Sequence, residues 1–254
     1  VVMGGGSRHF LPQASVDDNQ EDTVGQRPDG RNLIVEWKSI YPDGLYMDSR
    51  SSFDRANFAE ATNVLGLFNK THMRFDANRK SKTVKEPSLS QMTEKALQVL
   101  SKNPKGFFLM VEGGRIDHAH HVGNAFNALS DTIELSKAVE VALKNTNAKD
   151  TLIIVTADHS HVFTMAGYPK RGNPIMGKVV SVGDKKPQLA NDNLPYTTLG
   201  YTNGIGHRHL GSETDADQGY KEQGAPGRAN LSQVDTTQSG FFQESLVPLE
   251  SETH

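Results

Sequence analysis

Short apolar runs alternate with stretches of helical periodicity through the middle of the chain. Three runs are apolar or β-branched over four to six positions, which favours buried strands: residues 64–68, 106–110 and 151–156. Two stretches carry apolar residues at helical spacing: residues 87–102 and 124–144. Strands that alternate with helices in this way predict an α/β fold, a mostly parallel sheet flanked by helices.

Local signals predict where some elements begin and which faces they bury. Residues 1–3 are typical of the end of a strand, and residues 32–37 indicate the start of a short helix. Ser88 and Gln91 form a capping-box pattern at the start of the helix over 87–102. On the helix over 124–144, three apolar side chains are expected to face the sheet: Leu129, Ile133 and Val139.

The periodicity is lost after residue 163. Residues 167–251 are rich in Gly, Pro, Asn and Asp, with short β-like pieces such as residues 178–182. A structureless loop of this length would be unusual inside a compact domain, so the stretch predicts an inserted subdomain.

Composition excludes several classes of partner. The formal net charge is -3, so no basic excess recommends nucleic acid or an anionic membrane as a partner. Cysteine is absent, which removes disulfides and thiolate zinc sites. The chain begins with Val rather than Met, and we expect it to be part of a longer protein.

Candidate metal ligands follow the predicted strand over 106–110. In open α/β sheets, ligands bind where loops leave the carboxyl ends of the strands. Asp117 and His121 are four positions apart, so one helical turn would bring both to one ion. Carboxylate and imidazole groups are ligands of zinc, whereas the carboxylate of Glu112 suits magnesium.

A second group of ligand-type residues follows the predicted strand over 151–156. It contains Asp158, His159 and His161. Surface loops after strands often collect Asp and His without binding metal, and this interpretation stays open for either group alone. It is less favoured for both together, because six of the ten histidines lie in these two groups or at the last position.

The two groups carry a family resemblance. Residues 111–121, Val-Glu-Gly-Gly-Arg-Ile-Asp-His-Ala-His-His, resemble the metal motif of animal alkaline phosphatases. Residues 156–163 resemble the second metal motif of that family, and Glu252-Thr253-His254 resembles the start of a third. The resemblance implies an alkaline phosphatase core at 1–166, a crown-like insertion at 167–251, and a return to the core at 252–254.

The resemblance also implies roles for individual residues. One zinc would be held by Asp117, His121 and His254, and a second zinc by Asp158 and His159. Glu112 would bind magnesium. His118 would lie near the magnesium and the phosphate, and His161 would orient a ligand carboxylate.

The implied activity is hydrolysis of phosphate monoesters through a phosphoserine, by a homodimer at the cell surface or outside the cell, with a possible lipid (GPI) anchor. Asp48-Ser49-Arg50 differs from the family's Asp-Ser-Ala nucleophile motif, and Ser49 is expected to be a helix N-cap instead. The nucleophile is therefore expected outside these residues.

Two other functional classes stay open at this point. Related two-metal phosphodiesterases and phosphoglycerate mutases share a similar core, and a catalytically inactive cell-surface receptor could keep the fold without the nucleophile. Asn69 and Asn230 each begin an Asn-X-Ser/Thr triplet, which is compatible with a secreted glycoprotein.

Overall fold

The computed structural model describes residues 1–13, 25–80, 86–190, 193–202, 230–241 and 243. The chain divides into two compact units. The first unit contains Val1–Arg115 and Asp131–Val155, and the second contains Ile116–Ser130 and Thr156–His254. The division at 166 and 251 that the family resemblance implies stays a prediction.

The first unit is built on a three-stranded parallel sheet. Its strands are β1 (Val2–Gly4), β2 (Leu45–Met47) and β3 (Val64–Leu67), in the order β1-β3-β2. Val2 pairs with Leu65 on one side of β3, and Leu45 pairs with Val64 on the other. β3 is the central strand and side chains pack on both faces of the sheet, so all four of its residues are buried.

Three helices of this unit begin at side-chain caps. They are α1 (Leu33–Ile40), α2 (Arg50–Arg55) and α3 (Leu89–Leu100). The Asn32 side chain accepts hydrogen bonds from two amides of the first turn of α1, while Ser49 and Ser88 form capping boxes on α2 and α3. The predicted helix starts at 32, 49 and 88 are therefore confirmed.

Both faces of the sheet are covered. Side chains alternate along β3, so Val64 faces a cluster with Phe53 of α2 and Met92 of α3. Leu65 faces the opposite cluster, which contains Ile34 of α1. A parallel sheet with helices packed on both faces confirms the predicted α/β class.

Two of the predicted strands do not form. Residues 106–110 and 151–156 have no strand assignment, and Phe108 and Leu152 are 89% and 83% exposed. A strand requires a neighbour for its backbone hydrogen bonds, and no described residue pairs with either stretch. The prediction that these runs are buried strands is wrong in this structure.

The long helix α5 (Ala125–Asn145) is confirmed, but its predicted face is only partly correct. Leu129 packs in an apolar cluster, whereas Ile133 is 58% exposed. The buried positions further along the helix include Asp131 and Glu134. Polar partners therefore help to fix this part of the helix, together with the buried Ala138.

Those buried carboxylates cap the backbone of other elements in the first unit. Asp131 accepts a hydrogen bond from the Asp76 amide at 3.0 Å, at the start of a 3-10 turn (Asp76–Lys80). Glu134 accepts from the Ser90 amide at 3.1 Å, in the first turn of α3. Each acid satisfies a backbone donor that would otherwise lack a partner.

The second unit contains the short helix α4 (Arg115–His121) from Ile116 onward and two antiparallel strands. The strands are β4 (Phe163–Met165) and β5 (Leu199–Tyr201), with Phe163 opposite Tyr201. Tyr201 packs with Leu199, Met176 and Ala125. The β-like piece at 178–182 forms isolated bridges, Lys178 with Thr197 and Ser181 with Pro169.

We expect the buried carboxylate of Asp131 to make stability depend on pH. Burial raises its pKa from 3.8 to about 6, against the opposing effects of the Asp76 amide and of Arg79. A carboxyl group with a raised pKa in the folded state contributes stability below its unfolded pKa, and this contribution is lost as the pH rises toward 6. Asp131→Asn keeps the acceptor oxygen and should remove about 1 to 3 kcal/mol of the decline between pH 4 and 7.

Urea unfolding of both proteins across this pH range measures the effect. The matched control is Asp43→Asn, a change at an exposed carboxylate of the same unit, which should leave the decline as in the wild type. An identical pH slope in the wild type and Asp131→Asn would contradict the prediction.

Candidate metal centre

Helix α4 places two of the predicted ligands side by side. Asp117 and His121 are separated by one helical turn, and Asp117 Oδ1 lies 3.4 Å from His121 Nε2. The helix is anchored by Ala119, which is fully buried, and the chain beyond it by Val122, which is 4% exposed. These apolar anchors leave the carboxylate and the imidazole on the accessible side, as the spacing of the sequence predicts.

The segment before β4 brings two more imidazoles to the same carboxylate oxygen. His161 Nε2 lies 2.7 Å from Asp117 Oδ1, and His159 Nε2 lies 3.5 Å from it. Asp117, His121 and His161 each offer one ligand atom, and these atoms lie within 4.8 Å of one another. The two sequence groups therefore meet at Asp117.

The distances separate two kinds of contact. With bonds of roughly 2.0 to 2.2 Å, two ligand atoms of a tetrahedral zinc lie about 3.3 to 3.6 Å apart. The contacts of Asp117 with His121 at 3.4 Å and with His159 at 3.5 Å fall in this range. The contact with His161 at 2.7 Å is instead a hydrogen bond, which suits a residue that orients the carboxylate.

Asp158 lies at the edge of this cluster. Its side chain is 89% exposed, and its Oδ2 is 3.6 Å from His159 Nε2. This separation also fits two ligands of one zinc. The Asp158 carboxylate accepts the His159 amide at 3.1 Å, so an irregular turn brings the two adjacent residues together.

Neighbouring groups shift the pKa values of Asp117 and His159 in opposite directions. Burial alone would raise the pKa of Asp117, but the hydrogen bond from His161 and the imidazoles of His121 and His118 hold that pKa below its usual value. His159 Nδ1 lies 3.1 Å from the Ser160 carbonyl, which can only accept, so Nδ1 is the donor. This hydrogen bond and the Asp158 carboxylate raise the pKa of His159, so its Nε2 can bind a metal only after it loses a proton.

The remaining predicted residues occupy other positions. Glu112 is exposed and belongs to the first unit, where its carboxylate lies over Gly114. His118 is partly buried on α4. His254 lies outside the described residues. The two histidines of the predicted insertion, His207 and His209, also lie outside them.

Sequence reasoning missed one pair of residues beside the cluster. His120 Nδ1 lies 2.8 Å from the hydroxyl oxygen of Tyr201, and the His120 ring stacks on His161 with centroids 5.0 Å apart. Burial, aided by the imidazole of His161, lowers the pKa of His120 to about 4. His120 stood in the quoted motif without a role, and no local signal could have connected it with Tyr201 on a distant strand.

Comparison with known proteins places the chain in a family. The alkaline phosphatase family model matches residues 1–254. The tissue-nonspecific alkaline phosphatase of Felis catus is 42% identical over 260 residues, which covers 100% of this chain and 45% of the relative. The alkaline phosphatase of Gadus morhua is 37% identical over 259 residues, with coverage of 100% and 50%.

A solved structure, the alkaline phosphatase of Thermus thermophilus, aligns with 56% of this chain and 26% of that protein at 30% identity, with a TM-score of 0.47. The chain spans about half the length of the two curated relatives. Since the family model matches its whole length, this chain belongs to the alkaline phosphatase family.

Proposed function

We propose that this chain supplies the zinc-binding side of a phosphomonoester hydrolase site. The observation that carries the proposal is the convergence of His121, His159 and His161 on the Asp117 carboxylate. The ligand-type residues, the spacing of two of these contacts and the family membership all support a metal-dependent hydrolase.

The ligand set follows from the roles that the resemblance implies. Asp117 and His121, with His254, hold one zinc, while Asp158 and His159 hold the other. Glu112 binds magnesium. The contacts around Asp117 are compatible with one ion or two, so the number of ions is part of the proposal.

The chain's own residues prepare this site in three ways. The ionised Asp117 supplies the negative charge that a divalent cation requires, and the hydrogen bond from His161 fixes the direction of its carboxylate. The Ser160 carbonyl holds His159 in the tautomer that presents Nε2. His118 is next to Asp117 on α4, and the role proposed for it is contact with the phosphate.

When bound, zinc ions supply Lewis acidity toward both the attacking and the leaving oxygen of a phosphoryl displacement. The attacking group is a serine outside these residues, and the reaction passes through a phosphoserine. We also propose that the protein is a homodimer, on the basis of the family resemblance.

The ligand assignment predicts the metal content of variants of the intact protein. Asp158→Ala or His159→Ala should remove one of two zinc ions. This chain supplies only two ligands to that ion, so each replacement leaves a single one. The specificity constant kcat/KM for an aryl phosphate should fall by about 100-fold or more. Metal analysis by mass spectrometry, with a phosphatase assay at alkaline pH, tests both effects.

His72→Ala provides the control, since His72 is an exposed histidine of the first unit and is not among the proposed ligands. It should keep both ions and full turnover. Two zinc ions per chain in folded His159→Ala would show that this ligand assignment is wrong.

Ser49 is expected to be structural rather than nucleophilic. Its Oγ accepts the Ser52 amide at 3.3 Å and lies 3.0 Å from Ser52 Oγ, so the hydroxyl is committed to capping α2. Ser49→Ala should lower the free energy of unfolding by about 1 kcal/mol. Turnover of the intact protein should stay within about twofold of the wild type, whereas loss of turnover in a folded variant would identify Ser49 as the nucleophile.

We further propose that the protein acts outside the cell and carries a glycan at Asn230. Asn230 is exposed, and its Oδ1 accepts the Ser232 hydroxyl at 2.6 Å, so the acceptor triplet forms an accessible turn. Asn69 is different, because its Nδ2 donates at 2.6 Å to the buried Glu86 carboxylate. A glycan on that nitrogen would disturb a buried charge network.

Among the described residues, no helix is long and apolar enough to cross a membrane.

The two triplets provide matched variants for the glycan test. In a secretory animal-cell host, Asn230→Gln and Ser232→Ala should each remove the glycan, and Asn69→Gln should leave it. Enzymatic deglycosylation in heavy-oxygen water, followed by peptide mass spectrometry, identifies the modified asparagine as aspartate. A modified Asn69, or an unmodified Asn230 in secreted protein, would contradict the assignment.

A further inference from the structure

Tyr201 and His120 form a buried pair directly behind the candidate metal ligands. Tyr201 is the last residue of β5 and is fully buried. Its hydroxyl oxygen lies 2.8 Å from Nδ1 of His120, which is on α4 between Asp117 and His121. His120 and Tyr201 are 81 positions apart in the chain, so this bond ties the ligand-bearing helix to the core of the second unit.

The His120 ring transmits this restraint to His161. The two imidazoles are stacked, with centroids 5.0 Å apart and planes inclined by 30°. The Phe163 ring packs against both members of the pair, with its centroid 5.1 Å from that of His120 and 5.2 Å from that of Tyr201. The His120 ring is thus held by a hydrogen bond on one atom and by aromatic neighbours around it.

His161 in turn controls the carboxylate. Its Nε2 lies 2.7 Å from Asp117 Oδ1 and its side chain is only 16% exposed, compared with 53% for His121 and His159. It is therefore the least accessible imidazole in contact with Asp117. A continuous path of contacts runs from Tyr201 through His120 and His161 to Asp117.

We propose that Tyr201 is a positioning residue for the metal centre, acting through His120 and His161 to fix the direction of the Asp117 carboxylate. Tyr201 contacts neither the ion nor the substrate. Residues that orient metal ligands in this way typically change metal affinity by about 10- to 100-fold when they are replaced. The inference rests on the proposed zinc site and adds a residue that the sequence motifs do not contain.

The first test is Tyr201→Phe in the intact protein, which keeps the buried ring and removes only the hydroxyl. We expect the zinc dissociation constant, measured by competition with a chelating dye, to rise by about 10-fold. Because Tyr201→Phe removes only the hydrogen bond, the loss should appear as weaker zinc binding. The folded variant saturated at high zinc should have an unchanged KM.

The second unit offers a matched control in Tyr196. This tyrosine is 3% exposed, and its hydroxyl donates to Gln188 Oε1 at 2.9 Å in a different apolar cluster. Tyr196→Phe also removes one buried hydroxyl and should lower thermal stability to a similar extent. Its zinc dissociation constant should stay within about twofold of the wild type, so general destabilisation is separated from positioning.

A double-mutant cycle tests the path itself. His120→Phe keeps an aromatic ring against His161 and loses the bond to Tyr201. If the pair acts as a unit, the double variant should bind zinc no more weakly than the weaker single variant. Additive losses would overturn the proposed path, as would a wild-type zinc affinity in Tyr201→Phe or an equal loss in Tyr196→Phe. An intact wild-type protein that binds no zinc would overturn the proposed function together with this inference.

Discussion

The second unit depends on one carboxylate oxygen that three imidazoles approach. Asp117 Oδ1 lies 2.7, 3.4 and 3.5 Å from the Nε2 atoms of His161, His121 and His159. Three imidazole nitrogens this close to one carboxylate oxygen need a proton or a cation between them and that oxygen. Otherwise the lone pairs of nitrogen and oxygen would repel each other. His161 satisfies the oxygen with a hydrogen bond, and the other two imidazoles keep the wider spacing that a metal ion requires.

Local sequence signals predicted the parts of the structure that depend on neighbouring residues. The caps of α2 and α3 need only Ser49 with Ser52 and Ser88 with Gln91, so the helix starts could be located without knowing the fold. The pairing of Asp117 with His121 follows from helical spacing in the same way. The carboxylate face of α5 was missed because Asp131 finds its partner 55 residues away, at Asp76.

Long-range pairing limited the prediction of the strands and of the site. Apolar runs identify residues that prefer burial, but only a neighbouring strand makes them part of a sheet, and residues 106–110 and 151–156 lack one within the described chain. Tyr201 could not be assigned for a related reason: its contact with His120 joins β5 to α4, and neither sequence segment indicates the other.

The two sets of ligands therefore have different support. Asp117 and His121 lie on a helix anchored by the fully buried Ala119, whereas Asp158 and His159 follow a stretch in which Ile154 is 75% exposed. Within the second unit, His159 contacts Asp158, Asp117, the Ser160 carbonyl and the His161 ring. Contacts with Asp117 and His161 thus position Asp158 and His159, and a change at Asp117 would disturb both metal motifs. Asp117 is consequently the residue at which the fold of the second unit and the chemistry of the centre are most strongly coupled.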